Sequence, residues 1–512
     1  MDRTYLLGAD IGTTAIKVAL FDSEGNKVIH HSKEYELIKP DAKRVEQKPS
    51  VYYDTFKMCV KEVIKKSGID SNLIKGFAMD SSAETIVFLD ENMNPLDNFY
   101  TWLDSRAEEE ANEINARFTP EEILMVTGQL PIDTVYPATK ILWFKKNKPE
   151  LFKKIAMMFM CDDYILYQMC KKKVGHGSSW CTSYLWDITK KIWWKDMLDY
   201  LEINENQLPE ICECGDIIGT IDDDVADELG LPRNLKLVMG GQDQCSGAIG
   251  VGNVEPGIFS ESTGGALMVC TTSSKPIFDK SYCIPCNYSD MKDIYMLQAG
   301  AKGGIMLRWL RDTLCLEELR LEKSGEGNAY DLMDKLAKDT PPGAEGLFLM
   351  PFFGGAGCPN PDLYGRACLY GLSLGHTKGH IIRAFMEALA INVALMCDYI
   401  EELTGVKVTQ VRCLGGGSLS PLWCQIKADI LNRQVVTMKN TQDAACLGAA
   451  ITAGYGIGLY SSIQETAKKF AKIDKVYNPN PDNREVYDCL LMKYKTFIEA
   501  TKGYTKELSR IK

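Results

Sequence analysis

Four short segments of this chain combine carboxylates, hydroxyls and glycines in patterns suited to phosphate chemistry. The first is Asp10-Ile11-Gly12-Thr13-Thr14, a tight turn between two β-rich runs at 5–11 and 15–22. Gly12 lets backbone N–H groups approach a phosphate, and Thr13 and Thr14 can donate hydrogen bonds to its oxygens. Asp10, ending the first strand, suits a hydrated Mg²⁺. A plain hairpin with a strand-end Asp fits this segment as well. The second, Ser262-Thr263-Gly264-Gly265, repeats the strand, Thr/Gly turn, strand pattern. In the third, Gly240-Gly241-Gln242-Asp243-Gln244, one carboxylate follows an apolar strand at 235–239. Cleft chemistry is expected at such a C-terminal strand tip, although an Asp there can also be an N-cap. The fourth, Leu414-Gly415-Gly416-Gly417-Ser418, can lie flat against a nucleoside, or serve simply as a helix-entry turn.

The elements that must carry these segments alternate. Strands at 27–34, 74–79 and 85–89 join the opening hairpin, with amphipathic helices at 51–66, 105–116, 138–146 and 162–170. Lys171-Lys172-Lys173 reads as a solvated loop. A second strand-rich start follows 240, and a long helix at 379–403 brings Ile381, Ala384, Phe385, Ala388 and Asn392 to one core-facing side. A strand at 410–414 leads through the glycine turn to a helix at 421–431. One topology is thus used twice, in an N-terminal domain at 1–248 and a C-terminal domain at 249–512. Two such copies facing each other would flank a single cleft.

Composition narrows the class. The 512 residues exceed what one core supports, and 45% hydrophobic with 25% charged residues is ordinary for a globular protein. A net charge of −11 argues against nucleic acid or an anionic membrane as partner. The only apolar stretch near the N-terminus contains Asp10, so it does not read as a signal peptide. No run reaches the ~18 apolar residues of a membrane span. A cytoplasmic enzyme is therefore expected, its 18 cysteines reduced and inert. The pairs Cys212/Cys214 and Cys283/Cys286 lack a second pair at zinc spacing, and only five histidines exist, so no structural metal is expected.

Together, in this order, the four segments resemble the FGGY family of carbohydrate kinases, in the actin-like ATPase superfamily with sugar kinases such as hexokinase. The resemblance spans essentially the whole chain. It includes Thr139-Lys140-Ile141-Leu142-Trp143-Phe144, like the family's Lys-x-x-Trp helix. Gly371-Leu372 followed by His380-Ile381, Ala384 and Glu387 matches too, as does Arg308-Trp309-Leu310-Arg311-Asp312. It implies an α/β fold of two actin-like (ribonuclease H-like) domains flanking a catalytic cleft, ATP and Mg²⁺ as cofactors, and a small-molecule sugar as substrate. By resemblance, Asp243 is the base and Asp10 positions Mg²⁺. Gly12, Thr13, Thr14, Thr263 and Gly264 hold phosphates, while Gly415, Gly416 and Ser418 line the nucleoside side. Family members often form dimers, so a homodimer is a further expectation.

The sugar is read from Asp80-Ser81-Ser82-Ala83-Glu84-Thr85. Xylulokinases carry Met-His at the positions of Ala83-Glu84, and glycerol kinases Arg-Glu. This chain keeps the glutamate without the arginine, and the tyrosine expected by glycerol kinases falls at Val135, with Tyr136 one place on. Trp102-Leu103-Asp104-Ser105-Arg106 resembles the Trp-x-Asp-x-Arg of xylulokinase- and gluconokinase-like members, and Gln244 matches a xylulokinase amide. Glu84 and Asp104, both acceptors, suit a sugar with several hydroxyls, whereas an anionic sugar acid would need Arg106 turned inward. Arg106 otherwise reads as a surface partner of Glu108, Glu109 or Glu110. The expectation is a neutral ketose or polyol of about five carbons, D-xylulose first, with ribulose, fuculose, a tetritol, glycerol or gluconate behind it. A non-catalytic nucleotide switch would not need Asp243. A dinucleotide oxidoreductase would need a strand–Gly-x-Gly-x-x-Gly–helix opening, which is absent.

Overall fold

The computed structural model describes residues 3–508 apart from Gly265 and Asn440. Two compact units divide it. The first takes the chain up to Val254 together with Thr272–Met296 and Asp443–Ala471, and the second takes Glu255–Thr271, Leu297–Gln442 and the residues from Lys472 on. Two stretches from beyond residue 249 thus fold with the first unit.

The first unit is built on a mixed sheet in the order Ile217–Thr220, Lys236–Val238, Ile74–Ser81, Tyr5–Ile11, Ala15–Asp22, Lys27–Glu34. The last three strands form an antiparallel meander, while Tyr5–Ile11 runs parallel to Ile74–Ser81 with Asp10 opposite Asp80. The short strand Gly241–Gln242 pairs parallel with Ile74–Ser81 on the side away from Tyr5–Ile11, Gly241 opposite Asp80. Helix Pro49–Ser67 buries Tyr52, Phe56, Val60 and Val63 against this sheet. Its apolar residues recur every three to four positions, so the helix was legible in the sequence.

The glycine-rich run around 447–460 is helix Ala444–Gly456, buried almost throughout. Its small residues permit backbone-to-backbone contact. A Cβ on Gly8 would lie 2.0 Å from the Cys446 carbonyl oxygen, and one on Gly448 would lie 1.9 Å from that of Ser246. Helix Asp243–Gly250, which begins with the candidate base, is thereby clamped without intervening side chains.

The second unit repeats the hairpin-plus-parallel-strand arrangement. Ile258–Thr263 pairs antiparallel with Ala266–Ser273 and parallel with Gln410–Gly415, which is followed by Gln434–Met438 and Ile473–Tyr477. Helix Lys378–Thr404 is buried nearly all round. Ala384, Phe385, Ala388 and Asn392 are in the core as expected, but Ile381 is only half-buried. The single-face reading missed a polar pair on the other side. The Arg383 Nε donates to Glu387 at 2.8 Å, and Tyr487 and the Thr340 carbonyl satisfy the rest of the guanidinium. This helix is long and apolar enough to cross a membrane by composition, yet 89% of its apolar window is buried inside the fold.

Candidate active site

In the first unit, Gly12 donates its N–H to the Ala15 carbonyl at 3.0 Å, and a Cβ there would sit 2.9 Å from that oxygen. Only glycine closes this turn without strain. The Tyr35 hydroxyl donates to the Gly12 carbonyl and fixes the turn from below. Thr13 accepts from the Trp102 indole N–H at 2.7 Å, which leaves its hydroxyl hydrogen to donate elsewhere, and Thr14 is exposed. Trp102 and the phosphate-type turn, remote in sequence, are thus neighbours.

Gly240 and Gly241 deliver the candidate base. Cβ atoms on them would lie 1.7 Å from the Met79 carbonyl oxygen and 1.9 Å from the Asp290 carboxylate. Asp290 accepts from the Gln242 N–H at 3.0 Å and from the Ser246 hydroxyl at 2.7 Å, stapling the start of helix Asp243–Gly250. Sequence reasoning did not single out Asp290, because nothing local marks a carboxylate that acts across 48 residues. Asp243 is the first helical residue and accepts from the Gln244 N–H at 2.6 Å. Burial, with the charges of Asp10 and Glu84 adding to it, pushes its carboxyl up to about 7.

Glu84 adopts a left-handed backbone, φ 62°, which costs a side-chain-bearing residue on the order of 1 kcal/mol. Burial raises its carboxyl to about 7, against the opposing pull of the Thr182 hydroxyl and Lys140. Ala83 beside it is buried. Lys140 is fully buried and donates to the carbonyls of Thr101 and Val135 at 2.6 Å each and of Glu84 at 3.3 Å. One ammonium therefore ties together three segments, those bearing Glu84, Trp102 and Tyr136. The resemblance named the helix of Lys140, but its tying role needed the structure.

Asp104, expected beside the sugar with Glu84, is instead committed elsewhere. Its oxygens accept from the Val45 N–H at 2.7 Å and from the Arg106 guanidinium at 2.8 and 2.6 Å. Arg106 pairs with Asp104 and Glu46, not with Glu108, Glu109 or Glu110, and lies 4.1 Å from the ring centre of Tyr100 and 4.8 Å from that of Trp143. A buried carboxylate that takes the guanidinium bidentately is a stronger partner for it than a solvated glutamate, and the pair buttresses the Trp102 loop. Behind the base, Asp162 accepts from Ser81 at 2.7 Å and pairs with His176 at 2.5 Å, holding the imidazole charged. His176, Cys214 and Asp290 lie close enough to share an ion, but each already has hydrogen-bond partners within this network.

The second unit holds its own cavity of about 560 Å³, lined by Thr263, Gly264, Gly304, Arg308, Gly416 and Gly417 among others. Gly415, at φ 69°, lets the loop lie against Thr263, where a Cβ would meet a backbone oxygen at 2.7 Å. Gly416 faces open space. Gly264 is likewise open, and its carbonyl touches the start of helix Gly304–Leu314, where a Cβ on Gly304 would lie 2.2 Å away. Two expected ligand contacts are used internally. The Thr263 hydroxyl donates to Glu261, and Ser418 donates to the Gly415 carbonyl at 2.7 Å, closing its own turn. Gly265 lies outside the described residues.

With this geometry in hand, comparison with known proteins is specific. A model of the FGGY family of carbohydrate kinases, N-terminal domain, matches residues 5–250, and its C-terminal counterpart matches 260–457. A xylulose kinase of Bacillus subtilis is 28% identical over 506 residues, 98% of each chain. A gluconokinase of the same organism is 27% identical over 492 residues, 95% of this chain and 94% of that one. The crystal structure of ligand-bound xylulose kinase from Lactobacillus acidophilus superposes with a TM-score of 0.90 at 26% identity, covering 99% of this chain and 100% of that one.

Proposed function

The chain belongs to the FGGY family of carbohydrate kinases, and on that premise we propose that this sugar kinase phosphorylates a neutral ketopentose, D-xylulose, with ATP as donor. The observation that carries the reading is Asp243, a carboxylate at a strand tip and helix start, beside Asp10 and Glu84, with its carboxyl raised to about 7. Phosphoryl transfer needs alignment and charge neutralisation more than covalent chemistry. Asp243 accepts the proton of the attacking hydroxyl, and a base with a pKa near 7 does this better than an ordinary carboxylate near ~3.9. Glu84 and Gln244 orient the sugar by hydrogen bonds, with Trp102 and Ala83 walling it. In the first unit Gly12, Thr13 and Thr14 are phosphate donors; in the second, Gly264, Gly415 and Gly416 leave room for the nucleotide. Mg²⁺, held on the Asp10 side, would neutralise charge on the transferring phosphoryl group.

A neutral sugar is favoured over gluconate by the electrostatics of the first unit. The guanidinium that could have met a carboxylate, Arg106, is committed to Asp104 and Glu46, while Glu84 and Asp243 would repel an anion. The likeness to xylulose kinases supports the ketopentose, and the gluconokinase at similar identity makes gluconate the comparison to run. The test is ADP release from Mg-ATP over D-xylulose, ribulose, fuculose, tetritols, glycerol and gluconate. D-Xylulose should give the highest kcat/KM. A higher value for gluconate would overturn the electrostatic argument.

A further inference from the structure

Asp80 occupies the position next to the end of strand Ile74–Ser81. Its side chain has no exposure, and neither carboxylate oxygen has a hydrogen-bond partner. Its neighbours offer no relief. Ser81 donates its hydroxyl to Asp162, and the Ser82 N–H goes to the Ile11 carbonyl at 3.1 Å. The charged groups that act on it most are Asp10, Asp243, Asp290 and Asp162, all carboxylates. A buried charge without partner or counter-charge is among the most unfavourable things a fold can contain. A proton would neutralise it, but a carboxyl O–H is itself a donor that would be left without an acceptor.

A cation resolves both difficulties. Asp10 and Asp80 are direct neighbours in the parallel ladder, so their backbones are about 4.8 Å apart and their side chains leave the same face of the sheet. Two carboxylates at that spacing, with water completing the shell, suit a hard divalent ion that takes oxygen ligands at about 2.0–2.1 Å. We propose that Asp80 is a direct ligand of a divalent cation shared with Asp10, in a site that loads within the first unit before nucleotide arrives. The inference rests on the reading of Asp10 as the metal-facing residue. It adds a second protein carboxylate and an order of binding.

The probe is Mn²⁺ alone, with the full chain and no nucleotide. Free Mn²⁺ is followed by electron paramagnetic resonance, and thermal unfolding is recorded in EDTA and in Mn²⁺. The wild-type chain should bind one Mn²⁺ and melt higher with it. Asp80→Asn should weaken Mn²⁺ at least tenfold and lose the Mn²⁺-dependent rise in Tm. In EDTA, Asp80→Asn should melt at or above wild type, because an amide replaces an uncompensated charge. Unchanged Mn²⁺ affinity in Asp80→Asn overturns the proposal; if Asp10→Asn then abolishes binding, Asp10 holds the ion alone and the kinase reading stands. A clear loss of Tm for Asp80→Asn in EDTA also overturns it, since the carboxylate would then be compensated inside the fold. No Mn²⁺ binding by wild type without nucleotide overturns it as well, and sugar-dependent ADP release would still support the kinase reading.

Discussion

Asp10 lies one residue before the end of the strand leading into the first Thr-Gly turn, and Glu261 lies two before the end of the strand leading into the second. The two units answer the same local topology with opposite electrostatics. Glu261 is fully buried and closed on itself: the Lys427 ammonium meets it at 2.7 Å, the Thr263 hydroxyl donates to it, and that ammonium also lies 4.4 Å from the ring centre of Trp423. Around Asp10 there are instead Asp80, raised by burial and by the charges of Asp10 and Asp243, and Asp243, raised by burial and by those of Asp10 and Glu84, while Lys17 eases Asp10. A buried charge matched within the chain holds the strand in place. The buried charge of the second unit is paired within the chain, whereas the Asp80 carboxylate in the first unit has no hydrogen-bond partner.

The sharpest way to break this contrast is at the two charges themselves. Asp243→Ala should lower kcat by about 10²–10⁴-fold, the usual worth of a positioned base, with ATP affinity nearly unchanged by titration calorimetry. Because the Asp243 carboxyl is raised, it is protonated and idle below its pKa, so kcat/KM should rise with pH up to a limb at or below about 7, bound cation drawing it downward. The same raised value means that its burial favours the folded state most at low pH and loses that benefit as pH climbs through 7. A flat profile from pH 5 to 8 would remove Asp243 as base.

Lys427→Met should act on the other side of the comparison. It strands Glu261 as an unpaired buried charge, and denaturant unfolding should show a loss of about 3–5 kcal/mol. Were Lys427→Met as stable as wild type, the claim that the second unit's charges are structural would fail. The smallest effect is expected at Glu84. Glu84→Ala should raise the sugar KM about tenfold, about 1.4 kcal/mol, while the ATP KM hardly moves. Equal shifts in both would take Glu84 out of the sugar site.

Much of this molecule was legible from short-range pattern. The hairpin around Gly12, helix Pro49–Ser67, strand Ile74–Ser81 and the paired use of one topology follow from period, turn residues and glycine placement, all of which act over a few residues. So did the candidacy of Asp10, Asp243 and Glu84, since residue type and a strand-end position are local properties. Partner choice was not legible. Asp104 sits in the expected motif, yet its oxygens are taken by Arg106 and Val45, and Thr263 turns onto Glu261. Asp290 carries no local signature, and the motifs that contain Lys140 and Asp80 give no sign that one ties three carbonyls and the other is left without a partner. Which carboxylate is satisfied and which left bare depends on what the sheet, the helix clamp at Gly448 and Gly250, and the buried lysines bring within about 3 Å, and hydrogen bonds fall off over that distance whatever the separation along the chain. Turns, element periods and the types of group available could be read along the chain, whereas the interleaving that puts Thr272–Met296 and Asp443–Ala471 into the first unit could not. Which of those groups are paired was settled by packing, because partners such as Asp290 and Gln242 or Lys427 and Glu261 are far apart along the chain and meet only in the fold.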